Sequence, residues 1–265
     1  SYCLAILIDD GIVFCADSRT NAGPDRVGTH KKMHVFSRED DRTLVLLVAG
    51  NLATSQAVIA RIKRDVRENA EINVYSLKHI SDIADYIGQL VLAETSKFLS
   101  NEQAISAFDA SVTFILGGQI SGQKPGLYMI YPEGNHNKPS KDQPYLQIGE
   151  VKYGKPILDR IIKSDTPYET AMRCAVVSVD STMRSNVTVG PPIECLFYRK
   201  DSLVSHEQYF KLDESHSYLS AVRESWEENI RVAFERLPSL DQVFAEHECC
   251  LLYTSDAADE EDSVD

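Results

Sequence analysis

The first residue, Ser1, carries a hydroxyl group beside the α-amine of the same residue. If Ser1 is the free amino terminus, this amine can act as a base for the hydroxyl. The ordinary pKa of an α-amine is roughly 7.7–8.0, so a useful fraction is unprotonated near neutral pH. Amino-terminal nucleophiles that use their own amine as the base are an established form of covalent catalysis. We therefore interpret Ser1 as a candidate nucleophile; the alternative is a serine exposed by removal of an initiator methionine or a tag.

Two apolar strands follow Ser1 and are expected to hold it in place. Residues 2–8 and the segment ending in Ala16-Asp17-Ser18-Arg19 are mostly apolar, which is typical of strands covered on both faces. The intervening Asp9-Asp10-Gly11 predicts a hairpin turn. Most chain ends fray, but a buried strand that starts at residue 2 would fix the position of Ser1.

The remaining elements predict an α/β (α+β) fold of antiparallel sheets covered by helices. A second hairpin is expected at residues 33–36 and 44–48. Apolar periodicity predicts helices at residues 51–69, 77–99, 155–162, 168–184 and 218–237, and strands at 110–117, 126–131, 147–149, 193–198 and 203–209. Strands first, then helices, then strands and helices again favour stacked sheets with helices outside.

Length and composition favour one domain. The chain has 265 residues, of which 43% are hydrophobic, and no shift in composition divides it. We expect a single domain at residues 1–248 and a tail at 249–265. The tail is either an acidic disordered segment or, because residues 250–259 resemble a translated sequencing-library adapter, an extension foreign to the gene.

Charge and cysteine usage exclude several classes of function. The net charge of −13 argues against nucleic acid and anionic membranes as partners. A run of 18 apolar residues and a secretory signal are both missing, so we expect a cytoplasmic protein. The six cysteines and seven histidines have no metal-ligand spacing, and a Gly-rich phosphate loop is missing. We predict no metal, no cofactor and no disulfide.

Several short motifs together resemble the proteasome β subunit family of N-terminal-nucleophile hydrolases. They are Ser1, the strand end Ala16-Asp17-Ser18-Arg19, Lys31-Lys32, Val48-Ala49-Gly50 and residues 125–135. Further runs at residues 18–23, 30–36, 153–159 and 180–186 are similar to the bacterial ancestral-beta-subunit (Anbu) group of that family. The resemblance covers residues 1 to about 240.

The resemblance implies a four-layer αββα sandwich with the nucleophile at the start of the first strand. Transferred position by position, it implies Ser1 as the nucleophile, Asp17 as the carboxylate, Lys32 as the lysine and Gly50 as the backbone N–H of the oxyanion hole. The family usually has threonine first, and serine is the chemically closest exchange.

These implied roles are chemically consistent with one another. A lysine near Ser1 lowers the pKa of the α-amine and the cost of deprotonating the hydroxyl, while Asp17 offsets the lysine charge. A single backbone N–H donor such as that of Gly50 contributes roughly 2.7–4 kcal/mol to an oxyanion transition state. Lys31 is the alternative to Lys32. Adjacent side chains on a strand point to opposite faces, and the family uses the second lysine of such a pair.

The sequence departs from the family pattern in an outer group of residues. Glu150 follows Gly149 where the family commonly has serine, and Ser185 and Thr188 occupy the places of an aspartate and a serine. Glu150 is either a replacement acid or the partner of Lys152 in a surface pair. Asn186 lies one residue from the aspartate position. Arg19 either orients a carboxylate or forms a salt bridge, and we favour the salt bridge.

Three functions are compatible with these features. The first is a serine hydrolase that cleaves peptide or amide bonds through an acyl-enzyme at Ser1. The second is an amidase or acyl transferase that acts on a small peptide conjugate, since one fold hosts many activities. The third is a catalytically silent scaffold. The resemblance implies a homo-oligomeric ring or ring-like assembly with peptide or protein substrates, and it leaves open whether an ATPase partner exists.

Overall fold

In the part of the chain that the computed structural model describes, residues 1–21, 27–99, 109–205, 208–241 and 243–244, two five-stranded antiparallel sheets stack face to face. The strand order of the first sheet is β10 (Tyr145–Gly149), β1 (Tyr2–Ile8), β2 (Gly11–Ala16), β11 (Ile193–Arg199), β12 (Gln208–Leu212). The order of the second is β5 (Met33–Arg38), β6 (Arg42–Gly50), β7 (Val112–Ile120), β8 (Gly126–Ile130), β9 (His136–Asn137). A separate ribbon pairs β3 (Arg19–Asn21) with β4 (Val27–Thr29).

Helices cover the outer face of each sheet. The described helices are α1 (Leu52–Arg67), α2 (Ile80–Leu99), α3 (Val151–Ile161), α4 (Tyr168–Ser185) and α5 (Ser217–Glu235). Residues of α3 and α4 pack on the first sheet, whereas residues of α1 and α2 pack on the second. The predicted four-layer sandwich is therefore confirmed.

Alternation along the strands produces three apolar layers. On β1, Tyr2, Leu4 and Ile6 face the helices, while Cys3 and Ala5 face the other sheet. On β6, the even-numbered residues from Leu44 to Val48 face α1 and α2, and the odd-numbered residues from Val45 to Ala49 face the other sheet. Side chains of a strand alternate between its faces, so strands buried on both sides are apolar throughout.

The start of α1 is determined locally. Asn51 is the N-cap, and its side-chain oxygen accepts a hydrogen bond from the Thr54 amide at 3.1 Å. Such a cap contributes about 1 kcal/mol to helix stability. Because β6 ends at Gly50, the capped helix turns away from the sheet immediately after this glycine.

The structure differs from the local predictions in several places. The strand predicted at residues 203–209 is β12 at Gln208–Leu212 instead, because Asp201 and Leu203 adopt positive φ angles of 63° and 52° in a turn. Helix α3 begins at Val151 rather than at residue 155. The β3–β4 ribbon was not predicted.

Contacts between Cα atoms divide the chain into two units, Ser1–Val222 and Arg223–Asp265. Both sheets, and every residue of the site described below, belong to the first unit. The predicted domain end at residue 248 and the tail at 249–265 lie outside the described residues. None of the described helices is long and apolar enough to cross a membrane.

Candidate active site

The two sheets bring the four predicted site residues to one end of the sandwich. Ser1 precedes β1 and Asp17 follows β2 in the first sheet. Lys32 precedes β5 and Gly50 ends β6 in the second sheet. Ser1, Lys32 and Gly50 line one cleft, and Asp17 contacts Lys32 directly.

Asp17 and Lys32 form an ion pair in the interior. Lys32 Nζ lies 2.5 Å from Asp17 Oδ1, and the side chains are only 0% (Asp17) and 5% (Lys32) exposed. Lys32 Nζ also donates to the Arg19 carbonyl at 2.5 Å. Removing two charges from water costs several kcal/mol per ion, which their mutual attraction offsets only with additional hydrogen bonds.

Backbone amides supply these additional bonds to the Asp17 carboxylate. Oδ1 accepts from the Tyr2 amide at 2.8 Å, and Oδ2 accepts from the Arg19 and Gly190 amides, each at 3.1 Å. With the Lys32 ammonium, the carboxylate therefore accepts four hydrogen bonds. The Tyr2 amide ties the carboxylate to the residue directly after Ser1.

The structure distinguishes the two lysines. Lys32 is buried at the start of the second sheet, and its carbonyl accepts a hydrogen bond from the Val48 amide at 3.1 Å. Lys31 is exposed and lines the cleft. The two lysines therefore differ in burial, although both precede β5 and line the same cleft.

The Ser1 amine is partly buried beside this ion pair. It donates a hydrogen bond to the Thr188 carbonyl at 3.3 Å. Burial, and after it the positive charge of Lys32, lowers the pKa of the Ser1 amine below its ordinary value of 8.0, although Asp17 acts in the opposite direction. An amine with a lowered pKa is more often unprotonated at neutral pH and can accept a proton.

The carbonyl of Ser1 is fixed by the chain that follows β10. The Glu150 amide donates to the Ser1 carbonyl at 2.9 Å, and Tyr2 pairs with Gly149 in the β1–β10 register. Gly149 has φ +84°, and a Cβ at this position would lie 2.1 Å from the carbonyl oxygen of Ser1. Close approach of this backbone to Ser1 therefore requires a glycine.

Ser1 opens into a cleft of about 340 Å³ that we call the nucleophile cleft. One face of α1 forms a wall, because residues spaced three or four apart share a face of a helix. The start of β5 forms another wall and the end of β6 the floor. The lining residues are Ser1, Thr20, His30, Lys31, Lys32, His34, Val48, Ala49, Gly50, Leu52, Ser55, Gln56, Ile59, Ala60 and Lys63.

Gly50 lies at the edge of this cleft, between β6 and α1. Its φ is +120°, and a Cβ would lie 2.5 Å from the Ser111 carbonyl. The position therefore excludes larger residues. Gly50 is exposed and lines the nucleophile cleft.

Within the described part of the chain, no three His, Cys, Asp or Glu side chains lie close enough together to hold a metal ion. The groups that the site offers are a hydroxyl, an amine with a lowered pKa, a lysine paired with Asp17 and a glycine backbone. This set is suited to nucleophilic attack on a carbonyl.

Comparison with known proteins identifies the family and the fold of the chain. The family model described as "Proteasome subunit" matches residues 1–197. The chain belongs to the proteasome subunit family. Its sheets and helices match the αββα sandwich of proteasome N-terminal-nucleophile hydrolases.

Solved structures of ancestral beta-subunits resemble the chain over most of its length. Anbu from Pseudomonas aeruginosa, described as a helical assembly of the Anbu complex, is 42% identical, with a TM-score of 0.85 over 90% of this chain and 98% of that one. Anbu from Yersinia bercovieri is 39% identical, with a TM-score of 0.83 over 91% and 98%. Anbu from Hyphomicrobium sp. strain MC1 is 35% identical, with a TM-score of 0.82 over 90% and 99%. None of the curated proteins matches the chain.

Among the residues that depart from the proteasome pattern, Thr188 contacts the Ser1 amine directly. Thr188 contacts the amine through its backbone carbonyl, while its own amide and hydroxyl donate to Asn186 Oδ1 at 2.9 and 2.7 Å. Asn186, the C-cap of α4, therefore holds the loop that contacts Ser1. Ser185 is exposed at the end of α4.

Glu150 and Arg19 also reach the site mainly through their backbones. The Glu150 amide binds the Ser1 carbonyl, and among the described residues no ion pair joins Glu150 to Lys152. The Arg19 guanidinium donates to the Val187 carbonyl at 3.0 Å rather than to a carboxylate. The carboxylate of Asp17 instead binds the Arg19 amide.

Gly190 is a site residue that the sequence motifs do not reveal, and they leave the role of Asn186 open. Gly190 donates to Asp17, and a Cβ there would lie 2.3 Å from the Arg19 guanidinium. A glycine before the Pro191-Pro192 pair was the one available signal. This glycine indicates a turn, but it does not reveal that the Gly190 amide binds the Asp17 carboxylate.

Proposed function

We propose that this proteasome-family protein is a hydrolase that cleaves amide bonds through an acyl-enzyme at Ser1. The observation that supports this most strongly is the position of the Ser1 amine, partly buried beside the Lys32–Asp17 pair and opening into the nucleophile cleft. The proposal includes a free amino terminus at Ser1, without which the amine is not available as a base.

The chemistry proceeds in two halves. The Ser1 hydroxyl attacks the carbonyl carbon of the substrate, and its proton passes to the Ser1 amine. The Gly50 amide stabilises the oxyanion, while the Lys32 charge favours the deprotonated hydroxyl. The protonated amine then gives its proton to the departing nitrogen, which leaves an ester on Ser1. Water attacks this ester, again with the amine as base, and the free acid departs.

The buried ion pair also argues against a silent scaffold. An Asp–Lys pair removed from water is weak evidence for stability, because well-packed apolar residues of similar volume often serve equally well. A chain that used the fold for assembly alone would not need a charge pair beside Ser1. Hydrolysis of small amides uses the same steps and differs in substrate size, whereas an acyl transferase would replace water with another acceptor.

We further propose that the chain assembles with copies of itself in the cytoplasm. The support is its 42% identity to the Pseudomonas aeruginosa Anbu, which is described as a helical assembly. Analytical ultracentrifugation and electron microscopy of the purified protein test the assembly. A monomer at micromolar concentration would contradict it.

Acylation of Ser1 tests the catalytic proposal. The protein is treated with a β-lactone electrophile, digested and analysed by mass spectrometry, and the mass of its amino-terminal peptide also shows whether Ser1 is free. We expect an adduct on Ser1 and complete loss of amide hydrolysis in Ser1→Ala. Ser121→Ala, in an exposed turn, is the matched control and should behave as the wild type. A free Ser1 that forms no adduct, with Ser1→Ala unchanged in activity, would overturn the proposal.

A further inference from the structure

The charge of the nucleophile cleft is opposite to that of the protein. The chain carries 40 Asp and Glu against 27 Lys and Arg. Among the described residues, however, the lining of the cleft includes three lysines and two histidines and no aspartate or glutamate. A concave surface with charges of one sign concentrates ligands of the other sign.

Two of the three lysines are available to a ligand. Lys32 is occupied by Asp17 and by the Arg19 carbonyl. Lys31 and Lys63 are both exposed, and no salt bridge between described residues includes either of them. Their ammonium groups are therefore free to bind a carboxylate that enters the cleft.

Lys31 and Lys63 approach the cleft from different walls. Lys31 precedes β5, and Lys63 lies on α1, four residues after Ile59, which lines the same wall. Both act on one side chain between them: burial first, and then the charges of Lys63 and Lys31, lower the pKa of His34 to about 4. Neutral His34 offers one hydrogen-bond donor and one acceptor, and it does not offset the positive charge of the two lysines.

The apolar part of the lining suits a short hydrocarbon stem. Val48 and Ala49 form the floor, and Ile59 and Ala60 project from α1. A glutamate side chain has two methylene groups to pack against such a surface and a carboxylate to reach the lysines. An arginine or lysine side chain would meet like charge.

We infer that the nucleophile cleft selects substrates with an acidic side chain, glutamate above all, on the acyl side of the bond that is cleaved. The inference rests on the proposed function, because it places the acyl group of the Ser1 reaction in this cleft. Lys31 and Lys63 are then the residues that determine specificity.

Paired substrates test this selection. Acetyl-Ala-Ala-Glu and acetyl-Ala-Ala-Gln coumarylamides have the same leaving group and differ in one charge. We expect wild-type kcat/KM to be about tenfold higher for the glutamate substrate, equivalent to ~1.4 kcal/mol. The ratio should fall towards one at about 1 M salt, where the Debye length is roughly 3 Å.

Charge reversal provides the variant and its control. Lys31→Glu combined with Lys63→Glu should bring the ratio below one, and both residues are exposed, so folding is not at risk. Lys141→Glu changes the net charge at an exposed position outside the cleft and should keep the wild-type ratio. Equal hydrolysis of both substrates, or a ratio that the double variant does not change, would overturn the inference and leave the proposed function intact.

If neither substrate is hydrolysed and Ser1 forms no adduct, the proposed function fails, and binding decides the inference. Ligand-observed NMR then compares acetyl-Ala-Ala-Glu amide with acetyl-Ala-Ala-Gln amide on Ser1→Ala. Selective binding of the glutamate peptide that is lost in the Lys31→Glu, Lys63→Glu background would support an acidic ligand. Equal binding, or none, would overturn it.

Discussion

The ammonium group of Lys32 lies 2.5 Å from Asp17 Oδ1, in a buried ion pair that joins the two sheets beside Ser1. Asp17→Asn leaves the lysine charge buried without its counter-charge. We expect a loss of roughly 3–5 kcal/mol in the free energy of unfolding, measured by urea denaturation. In the double variant Asp17→Asn, Lys32→Met the orphaned charge is gone, so part of the loss should be recovered. A loss below about 1 kcal/mol in Asp17→Asn, as for a surface pair, would contradict this prediction.

Acylation of Ser1 should depend on pH through its amine. The unprotonated amine is the base, so the acylation rate should rise with pH and become constant above the pKa of the amine. Because burial and Lys32 lower this pKa, the midpoint should lie below 8.0. The measurement is the rate of adduct formation between pH 5 and 10, followed by mass spectrometry. A midpoint at or above 8.0 would contradict the lowered pKa, and a rate that does not change with pH would contradict the assignment of the amine as base.

Gly149→Ala should displace the nucleophile. A Cβ at residue 149 would lie 2.1 Å from the carbonyl oxygen of Ser1, at a backbone φ of +84°. A misplacement of about 1 Å can reduce the rate 100-fold, so we expect a loss of acylation rate on that order. Gly122→Ala is the matched control, because Gly122 has φ +75° and a Cβ added there would meet no atom within 4 Å. If Gly149→Ala and Gly122→Ala are acylated at the same rate, the prediction that a clash with Ser1 slows acylation is wrong.

Asn186→Ala should loosen the loop that binds the Ser1 amine. The variant removes the acceptor for both the amide and the hydroxyl of Thr188, whose carbonyl holds the amine. We expect a decrease of about 0.5–1.5 kcal/mol in stability per lost bond, and a slower acylation of Ser1 in the folded protein. Thr188→Val, which retains the carbonyl and the Asn186 bond to the amide, should have a smaller effect. The reverse order of the two variants would contradict this role of Asn186.

His34 should make the fold less stable in acid. Burial, with help from Lys63 and Lys31, lowers its pKa from 6.5 to about 4, so between these values the unfolded chain binds a proton that the folded chain does not. Stability contributed by neutral His34 is present above pH 6.5 and is lost as the pH falls through this window. His34→Gln should therefore lose less free energy of unfolding than the wild type between pH 7 and pH 4.5. Equal losses in the two proteins would contradict the prediction.

Several parts of the fold follow from local sequence. Continuous apolar runs predict β1, β2 and β6, because each of these strands is buried on both faces. The strand predicted at residues 203–209 was wrong for a non-local reason. Gln119, on β7, accepts a hydrogen bond from the Asp201 amide and donates to the Asp201 carboxylate, and this contact stabilises a turn where a strand was predicted.

The sequence by itself determined the order of the reactive groups: a serine at the head of a buried strand, an aspartate after the next strand, and a lysine and a glycine at the ends of two more. Only the tertiary structure decided which lysine is buried, that Asn186 rather than Ser185 supports the amine, and that Glu150 acts through its amide. The physical reason is that many contacts at Ser1 and Asp17 come from backbone amides and carbonyls, one of them 173 positions away in the chain. Every residue except proline carries such an amide, so the type of the side chain does not reveal which of them will be used.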